Sequence, residues 1–251
     1  MTNNIKKIAI SGGNGKMGTL LSEHIKTKDF FEISGIYDPI SQSREYKNYK
    51  DYKEVEADYL FEFSPSSKVN ENIEILCNEK LDFGIIIGSS GISKKSIAKL
   101  KTLAESTLVV VIPNFSIGAS YQKLISVILS DEFVNKYIIE KHHSQKNDTP
   151  SGTATDLANS INTKNNVIDD QNSENKINVI NNIKIESVRS DDVLAEQVVN
   201  MSNEYEIFNT EHIVNDRKAY LSGINLVLDS VENLHGYYFG LESILKNRFK
   251  I

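Results

Sequence analysis

The residues best suited to chemistry lie in one short stretch, Glu140–Ala154, which reads EKHHSQKNDTPSGTA. It contains two adjacent histidines, His142 and His143, and Lys146 follows four residues after the first of them. Imidazole and ammonium groups can donate protons, and the same cations attract carboxylates. The small-residue turn that follows precedes a helical pattern, and the first backbone N–H groups of a helix bind anions. The stretch therefore predicts a site that binds a small carboxylate substrate and gives it a proton.

Each histidine alone could be an ordinary hydrogen-bonded polar residue, and only the combination with Lys146 and the helix-start turn favours a site. Strand-like alternation would point His142 and His143 to opposite sides. A shared metal ion is therefore disfavoured, and we predict no metal site. The remaining histidines lack such neighbours and are interpreted as surface or structural residues: His24, His212 and His235.

A glycine-rich loop follows the first predicted strand, Ile5–Ile10, and opens a helical pattern that continues to Ile25. The loop contains G-x-G-x-x-G, in which glycines allow a tight turn and a close approach to a pyrophosphate. An acid at the end of the second predicted strand is placed to accept hydrogen bonds from an adenosine ribose. We interpret the pattern as a dinucleotide site, with a plain strand-to-helix turn as the alternative. The predicted cofactor contacts here are Gly12, Gly13, Asn14, Gly15, Lys16, Met17 and Asp38.

The carboxylate of Asp38 would repel the 2′-phosphate of NADPH, so the sequence predicts a preference for NADH. Two further loops follow the fourth and fifth predicted strands, and such loops line the cofactor crevice of an open α/β sheet. Either loop alone could be a structural turn. Their predicted cofactor contacts are Gly88, Ser89, Ser90, Pro113, Asn114, Phe115 and Ser116.

The surrounding pattern indicates two kinds of domain. Strands alternate with helices up to Pro113, which predicts a doubly wound parallel sheet. Three later strand-like runs without intervening helices predict a mixed or antiparallel sheet: Ile183–Val188, Val193–Met201 and Tyr205–Thr210. We interpret Asn159–Asn182 as a surface loop with a frayed helix end, and Arg217–Val231 and Tyr238–Leu245 as helices.

Composition narrows the class of protein. The chain has 251 residues, 39% of them hydrophobic, and a formal net charge of −6. This charge disfavours nonspecific binding to nucleic acid or to an anionic membrane. The single cysteine, Cys77, cannot form an internal disulfide, and the N-terminus lacks the apolar core of a signal peptide. The sequence therefore predicts a cytoplasmic protein.

Four motifs together resemble those of the dihydrodipicolinate reductase family, whose members are also called 4-hydroxy-tetrahydrodipicolinate reductases. These are GGNGKMG, GSSG, PNFSIG and EKHHSQKNDTPSGTA, in this order. The resemblance implies reduction of a dipicolinate precursor by NADH or NADPH, giving tetrahydrodipicolinate in lysine and diaminopimelate biosynthesis. It implies that His142 and Lys146 are catalytic, and that His143, Gly152 and Thr153 bind a substrate carboxylate.

The family's fold further implies how the chain is divided. A Rossmann-like domain would comprise residues 1–116 and 218–251, and an α+β domain of residues 117–217 would bind substrate and build a homotetramer. Several positions depart from the usual pattern of the family, among them the three that follow. Glu62 replaces an aspartate, Thr149 replaces an alanine, and Gln197 replaces a histidine.

Two other functions remain open from the residues. A different two-domain NAD(P)-dependent dehydrogenase, acting on aspartate, homoserine or a sugar, would explain the glycine loop but not the His–Lys stretch. A non-catalytic nucleotide-sensing protein would explain the glycine loop but would have little use for His142, His143 and Lys146 together.

Overall fold

The computed structural model describes residues 5–146, 148–161 and 176–249, which fall into two compact units. The first unit consists of the described parts of Met1–Phe115 and Leu221–Ile251, and the second of those of Ser116–Tyr220. The functional roles that the sequence assigns to these units stay predictions.

The first unit contains a seven-stranded sheet in which every paired strand is parallel to its neighbour. Its strands are β1 (Lys6–Ser11), β2 (Phe31–Tyr37), β3 (Asn48–Tyr49), β4 (Tyr59–Glu62), β5 (Gly84–Ile87), β6 (Val109–Val111) and, near the C-terminus, β12 (Tyr237–Phe239), in the order β12-β6-β5-β4-β1-β2-β3. Its helices are α1 (Lys16–Ile25), α2 (Val69–Asn78), α3 (Lys94–Leu103), α6 (Leu221–Leu228) and α7 (Leu241–Phe249).

The central strands form because their side chains are apolar on both faces. Ile8, Ile10 and Leu60 have no exposed surface, and the same is true of Ile85–Ile87. Continuous apolar runs of this kind are typical of a parallel sheet covered by helices on both sides. The predicted Rossmann-like doubly wound domain is therefore confirmed.

The strand order determines where a ligand can bind in this unit. β1 lies between β2 and β4. The chain adds β2 and β3 on one side of β1, and then crosses to add β4, β5 and β6 on the other side. In open α/β sheets, ligands bind beyond the carboxyl ends of the strands at such a switch point. The glycine-rich loop follows β1 at this position.

The second unit contains a five-stranded mixed sheet, which confirms the predicted second sheet. Its strands are β7 (Asn135–His142), β8 (Lys176–Ile180), β9 (Ile183–Arg189), β10 (Ala195–Ser202) and β11 (Ile207–Val214), in the order β11-β10-β7-β9-β8. β7 runs parallel to β9, and the other pairs are antiparallel. The helices of this unit are α4 (Ile117–Ile128) and α5 (Gly152–Ser160).

Three predicted segments differ from the structure. Part of the predicted loop Asn159–Asn182 is strand β8, which turns into β9 through Asn181 and Asn182, with φ of 49° and 58°. Two left-handed residues between paired strands form a tight hairpin, and asparagine tolerates that conformation. Residues 162–175 of the predicted loop lie outside the described residues.

The two predicted C-terminal helices were also partly wrong. The first predicted helix, Arg217–Val231, is a 3-10 turn at Arg217–Tyr220, then α6, then a second 3-10 turn at Val231–Asn233. The second begins as strand β12, which pairs with β6 and ends at Phe239, just before Gly240, where φ is +76°. α7 begins at the next residue. Aromatic residues in a short apolar run fit a strand as well as a helix, and only pairing with β6 decides between them.

Among the described residues, no helix has both the length and the apolar character required to cross a bilayer.

Candidate active site

The glycine-rich loop takes a conformation that side chains would prevent. Gly12 has a φ of +70°, and a Cβ there would lie 2.8 Å from the carbonyl carbon and oxygen of Phe63. A Cβ at Gly18 would lie 2.5 Å from the Gly12 oxygen and from the Gly13 Cα. Gly13 packs against Ile36, where a Cβ would lie 2.6 Å from a methyl carbon. The loop is therefore folded tightly against β2 and the end of β4.

Helix α1 begins immediately after this loop without a side-chain cap. Gly15 is the N-cap residue, and no side chain hydrogen-bonds to the helix start from that position. Lys16, the first helical residue, is exposed, and Met17 is half-buried. Uncapped N–H groups and the positive end of the helix dipole favour a phosphate at this position.

A cavity of about 430 Å³ opens beside the loop. Gly12, Asn14 and Gly15 line it on one side, residues 37–41 after β2 line another, and residues 63–65 with one face of α2 complete it. Of the predicted cofactor contacts, Gly12, Asn14, Gly15 and Asp38 therefore meet at one cavity. Its position beyond the carboxyl ends of β1 and β2 is where a doubly wound sheet binds a nucleotide.

Asp38 is held in place by three backbone N–H groups. Its Oδ1 accepts hydrogen bonds from Ile40 and Ser41 at 3.1 and 3.2 Å, and its Oδ2 accepts a longer one from Asn14 at 3.4 Å. The side chain of Asn14 in turn donates to the Ser41 oxygen at 3.0 Å. The two loops are thus joined, and the carboxylate lines the cavity. Lys68, which the sequence analysis did not consider, lines the same cavity, and its Nζ lies 2.8 Å from a Glu71 oxygen.

The other predicted cofactor contacts lie outside that cavity. Gly88 packs under two rings, since a Cβ there would lie 2.3 Å from Phe63 and 2.6 Å from Phe115. Ser89 is buried, and its hydroxyl donates to the Glu62 backbone oxygen at 3.1 Å, whereas Ser90 is exposed. In the last loop, Pro113 is exposed, Asn114 is half-buried, Phe115 is buried, and Ser116 caps α4 by accepting a hydrogen bond from Ala119 at 3.4 Å.

A buried carboxylate lies beneath the strand ends of the first unit. Glu62 has no exposed surface and accepts hydrogen bonds from the Tyr52 hydroxyl at 2.9 Å and the Ser64 N–H at 2.7 Å. Burial, and the nearby negative charge of Glu62, raise the pKa of Tyr52 far above its ordinary value. Glu62, which stands where the resembled family usually has aspartate, therefore holds residues 62–64, the segment that packs against Gly12.

In the second unit, β7 brings two of the key side chains to one face. Glu140 and His142 are two residues apart on the strand, and His142 Nδ1 forms a short hydrogen bond with Glu140 Oε2. Burial raises the pKa of the Glu140 carboxyl, but hydrogen bonds from His142 and Arg189 outweigh it and leave the pKa below its ordinary value. The carboxylate is therefore ionised and can only accept, so Nδ1 of His142 carries the hydrogen.

Arg189 connects this pair to the loop that follows. It lies beside His142 in the register of β7 and β9, and its Nη2 lies 3.0 Å from Glu140 Oε1. The same nitrogen donates to the Asp148 backbone oxygen at 2.6 Å, and Nε donates to the Lys146 backbone oxygen at 3.3 Å. The guanidinium therefore fixes the backbone on both sides of Asn147, which itself lies outside the described residues.

Lys146 and the start of α5 both interact with Asp148. Lys146 Nζ lies 2.7 Å from Asp148 Oδ1, and the Gly152 backbone amide also hydrogen-bonds this carboxylate. Partial burial raises the pKa of Asp148, but Lys146 and these backbone amides outweigh it and leave the pKa below its ordinary value. The Ser151 N–H donates to Glu140 Oε1 at 3.3 Å. The N–H groups of Ser151 and Gly152 therefore each bond a carboxylate of the chain itself.

The remaining predicted residues lie close to this group. His143 is half-buried, and its backbone oxygen accepts a hydrogen bond from the Lys146 N–H at 3.0 Å, which closes a tight turn. Thr153 is in the first turn of α5, and a Cβ at Gly152 would meet no atom within 4 Å. No group of three or more histidine, cysteine or acidic side chains is placed to hold a metal ion within the described ranges.

Glu140, Arg189 and Asp148 belong to this group of residues, although no role was predicted for them from the sequence. A usable signal existed for Glu140, because an acid two residues before His142 on a strand must share its face. No local signal identified Arg189, which reaches the site only through the pairing of β7 with β9.

Comparisons with known proteins identify the relatives of this chain. The family profile described as "Dihydrodipicolinate reductase, N-terminus" matches residues 6–115, and its C-terminal counterpart matches residues 118–245. A 4-hydroxy-tetrahydrodipicolinate reductase from Legionella pneumophila is 30% identical over 252 residues, covering 95% of this chain and 99% of the relative. A reductase of the same name from Streptococcus pneumoniae (strain Hungary19A-6) is 27% identical, covering 95% of this chain and 99% of its own length. The solved structure of dipicolinate-bound dihydrodipicolinate reductase from Paenisporosarcina sp. TG-14 has the same fold, with a TM-score of 0.80 at 24% identity, covering 96% of this chain and 99% of that chain.

Proposed function

Because this chain belongs to the dihydrodipicolinate reductase family, we propose that it reduces 4-hydroxy-tetrahydrodipicolinate, or the dihydrodipicolinate formed from it by dehydration, to tetrahydrodipicolinate. The reductant is NAD(P)H, and the reaction belongs to lysine and diaminopimelate biosynthesis. The observation that carries the proposal is the grouping of His142, Lys146 and the start of α5 within one described site.

The first unit binds the cofactor. The uncapped start of α1 receives the pyrophosphate, and the cavity that contains Asp38 receives the adenosine. The loops Gly88–Ser90 and Pro113–Ser116 follow β5 and β6 at the same edge of the sheet, and we assign them to the rest of the dinucleotide. A bound NAD(P)H supplies the hydride.

The second unit binds and protonates the substrate. Hydride addition to a conjugated imine leaves electron density that an acid must neutralise, and Lys146 and His142 are suitable acids. His143 and the backbone of Gly152 and Thr153 hold a substrate carboxylate at the start of α5. The Gly152 amide already bonds the carboxylate of Asp148, which supports its assignment as a carboxylate ligand. A substrate carboxylate would take the place of Asp148.

One coupled assay tests the proposed reaction against the alternatives. The condensation product of pyruvate and aspartate semialdehyde is generated in place, and NADH absorbance is followed with and without the protein. Loss of absorbance with this substrate alone supports the reductase. Turnover of aspartate or homoserine instead would support a different dehydrogenase, and nucleotide binding without any turnover would support a sensor.

We predict that NADH is the preferred cofactor. The fixed carboxylate of Asp38 would lie next to the 2′-phosphate of NADPH, and like charges in close contact are unfavourable. We expect kcat/KM to be about tenfold higher with NADH, and Asp38→Asn to reduce this ratio. The matched control is Asp29→Asn, at an exposed aspartate of the same unit. Higher kcat/KM with NADPH in the unmodified enzyme would refute the prediction.

We also propose a homotetramer built by the second unit. One face of its sheet bears three large apolar residues that are at least half exposed, Val179, Ile207 and Ile213. Exposed apolar residues on one sheet face are typical of an assembly surface. We expect sedimentation equilibrium to give the mass of four chains, and a monomer mass at micromolar concentration would refute this.

A cytoplasmic location stays a prediction, supported by the free thiol of Cys77.

A further inference from the structure

Glu140 is a buried charge near the C-terminal end of strand β7, with no exposed surface. Its neighbours on the same face of β7 are Ile138, which has no exposed surface, and His142, which is largely buried. A buried carboxylate is unfavourable unless hydrogen bonds and opposite charges compensate for it. The hydrogen-bond partners of its two oxygens therefore indicate the role of Glu140.

The two oxygens of Glu140 have separate partners. Oε1 accepts from Arg189 Nη2 at 3.0 Å and from the Ser151 N–H at 3.3 Å. Oε2 accepts from Nδ1 of His142. One oxygen thus joins the carboxylate to Arg189 and the start of α5, and the other fixes the ring of His142. With Nδ1 held as a donor, Nε2 is the nitrogen left to exchange a proton with a substrate.

Arg189 uses the planar arrangement of its N–H groups to hold the loop that carries Lys146. Beyond Glu140, it donates to the backbone oxygens of Lys146 and Asp148 and to Thr149 Oγ1, at 3.3, 2.6 and 3.3 Å. Lysine in its place could keep the charge but could not match this geometry. The position of the Lys146 ammonium therefore depends on Arg189.

We infer that Glu140 and Arg189 are positioning residues of this reaction, which together fix the ring of His142 and the loop of Lys146 as one unit. The inference about catalysis rests on the proposed reductase function, whereas the effect on the His142 ring does not require any substrate. A purely structural ion pair between β7 and β9 would need only Arg189 and one oxygen of Glu140.

The test begins with Glu140→Gln. Arg189 can only donate, so it would hold the amide oxygen and turn the amide NH₂ toward His142. Nδ1 of His142 would then become an acceptor, and the neutral ring would move its hydrogen to Nε2. In the neutral ring of the ligand-free protein, we expect ¹⁵N shifts to show the Nδ1–H form in wild type and the Nε2–H form in the variant. In the coupled assay we expect kcat to fall at least about tenfold, with a smaller change in KM.

Arg189→Lys is the second variant, because it keeps the charge and the fold even if Glu140→Gln does not fold. We expect faster amide hydrogen exchange at the described residues next to Asn147, and a fall in kcat. The matched control is Glu196→Gln, which breaks a charged pair with Lys141 between β10 and β7 of the same sheet. We expect the control to keep the wild-type ring form and activity.

The outcomes separate this inference from the proposed function. The same His142 ring form in wild type and Glu140→Gln would overturn the role of Glu140, whatever the enzyme's activity. A changed ring form with kcat within twofold of wild type would overturn its role in catalysis. Unchanged exchange and kcat in Arg189→Lys would overturn the role of Arg189. A wild-type protein without reductase activity would instead refute the proposed function.

Discussion

Replacing Lys146 by alanine will lower kcat by about tenfold or more, the low end of what a positioned acid contributes. The ammonium is the proton source assigned to the reaction, and in the ligand-free protein it is bound only 2.7 Å from Asp148. The side chain projects from a loop whose backbone Arg189 holds independently, so we expect the fold to survive. Steady-state kinetics in the coupled assay, with thermal unfolding in parallel, measure both expectations.

Lys141→Ala is the matched control for this variant. Lys141 belongs to the same strand as His142, but its ammonium pairs with Glu196 on the opposite side of the sheet. We expect its kcat to stay close to that of wild type. Wild-type turnover in Lys146→Ala would remove this residue from the mechanism, and His142 would then be the only assigned acid.

Replacing Gly18 by alanine will raise the Kd for NADH by about ten- to a hundredfold. The added Cβ would lie 2.5 Å from the Gly12 oxygen and from the Gly13 Cα, so only a backbone shift could relieve the overlap. Overpacking costs about 1–3 kcal/mol, and each 1.4 kcal/mol corresponds to about tenfold in affinity. Because the displaced atoms form the predicted pyrophosphate loop, we expect most of the strain to appear in cofactor binding, measured by fluorescence titration.

The control for this substitution is Glu23→Ala, near the end of the same helix. Glu23 forms an exposed pair with Lys26, and such pairs contribute little to stability. We expect its Kd to match that of wild type. An unchanged Kd for NADH in Gly18→Ala would mean that cofactor binding does not depend on the conformation of this loop.

Much of the site could be predicted because its signals are local in sequence. The glycines at 12, 13 and 18 lie in one strand–turn–helix unit, where their spacing can be read directly, and Asp38 follows the adjacent strand. The His–Lys stretch carries its own pattern of residue types and spacing. Continuous apolar strands such as Ile85–Ile87 likewise identified the parallel sheet.

The features that could not be predicted from the sequence depend on contacts between distant parts of the chain. Strand β12 exists because Tyr237–Phe239 pair with Val109–Val111, more than a hundred residues earlier. Arg189 reaches Glu140 because β9 lies parallel to β7. The pairing of Asp148 with Lys146 and Gly152 depends on how the loop folds back, which residue spacing does not determine.

The central claim is that the turn after the paired histidines binds a dicarboxylate and protonates it. The most direct measurement is a crystal structure of the protein with NADH and pyridine-2,6-dicarboxylate. We predict one ligand carboxylate at the N–H groups of Gly152 and Thr153 and near His143, with Lys146 moved from Asp148 to the ligand. A ligand bound elsewhere, with Lys146 still paired to Asp148, would contradict the claim.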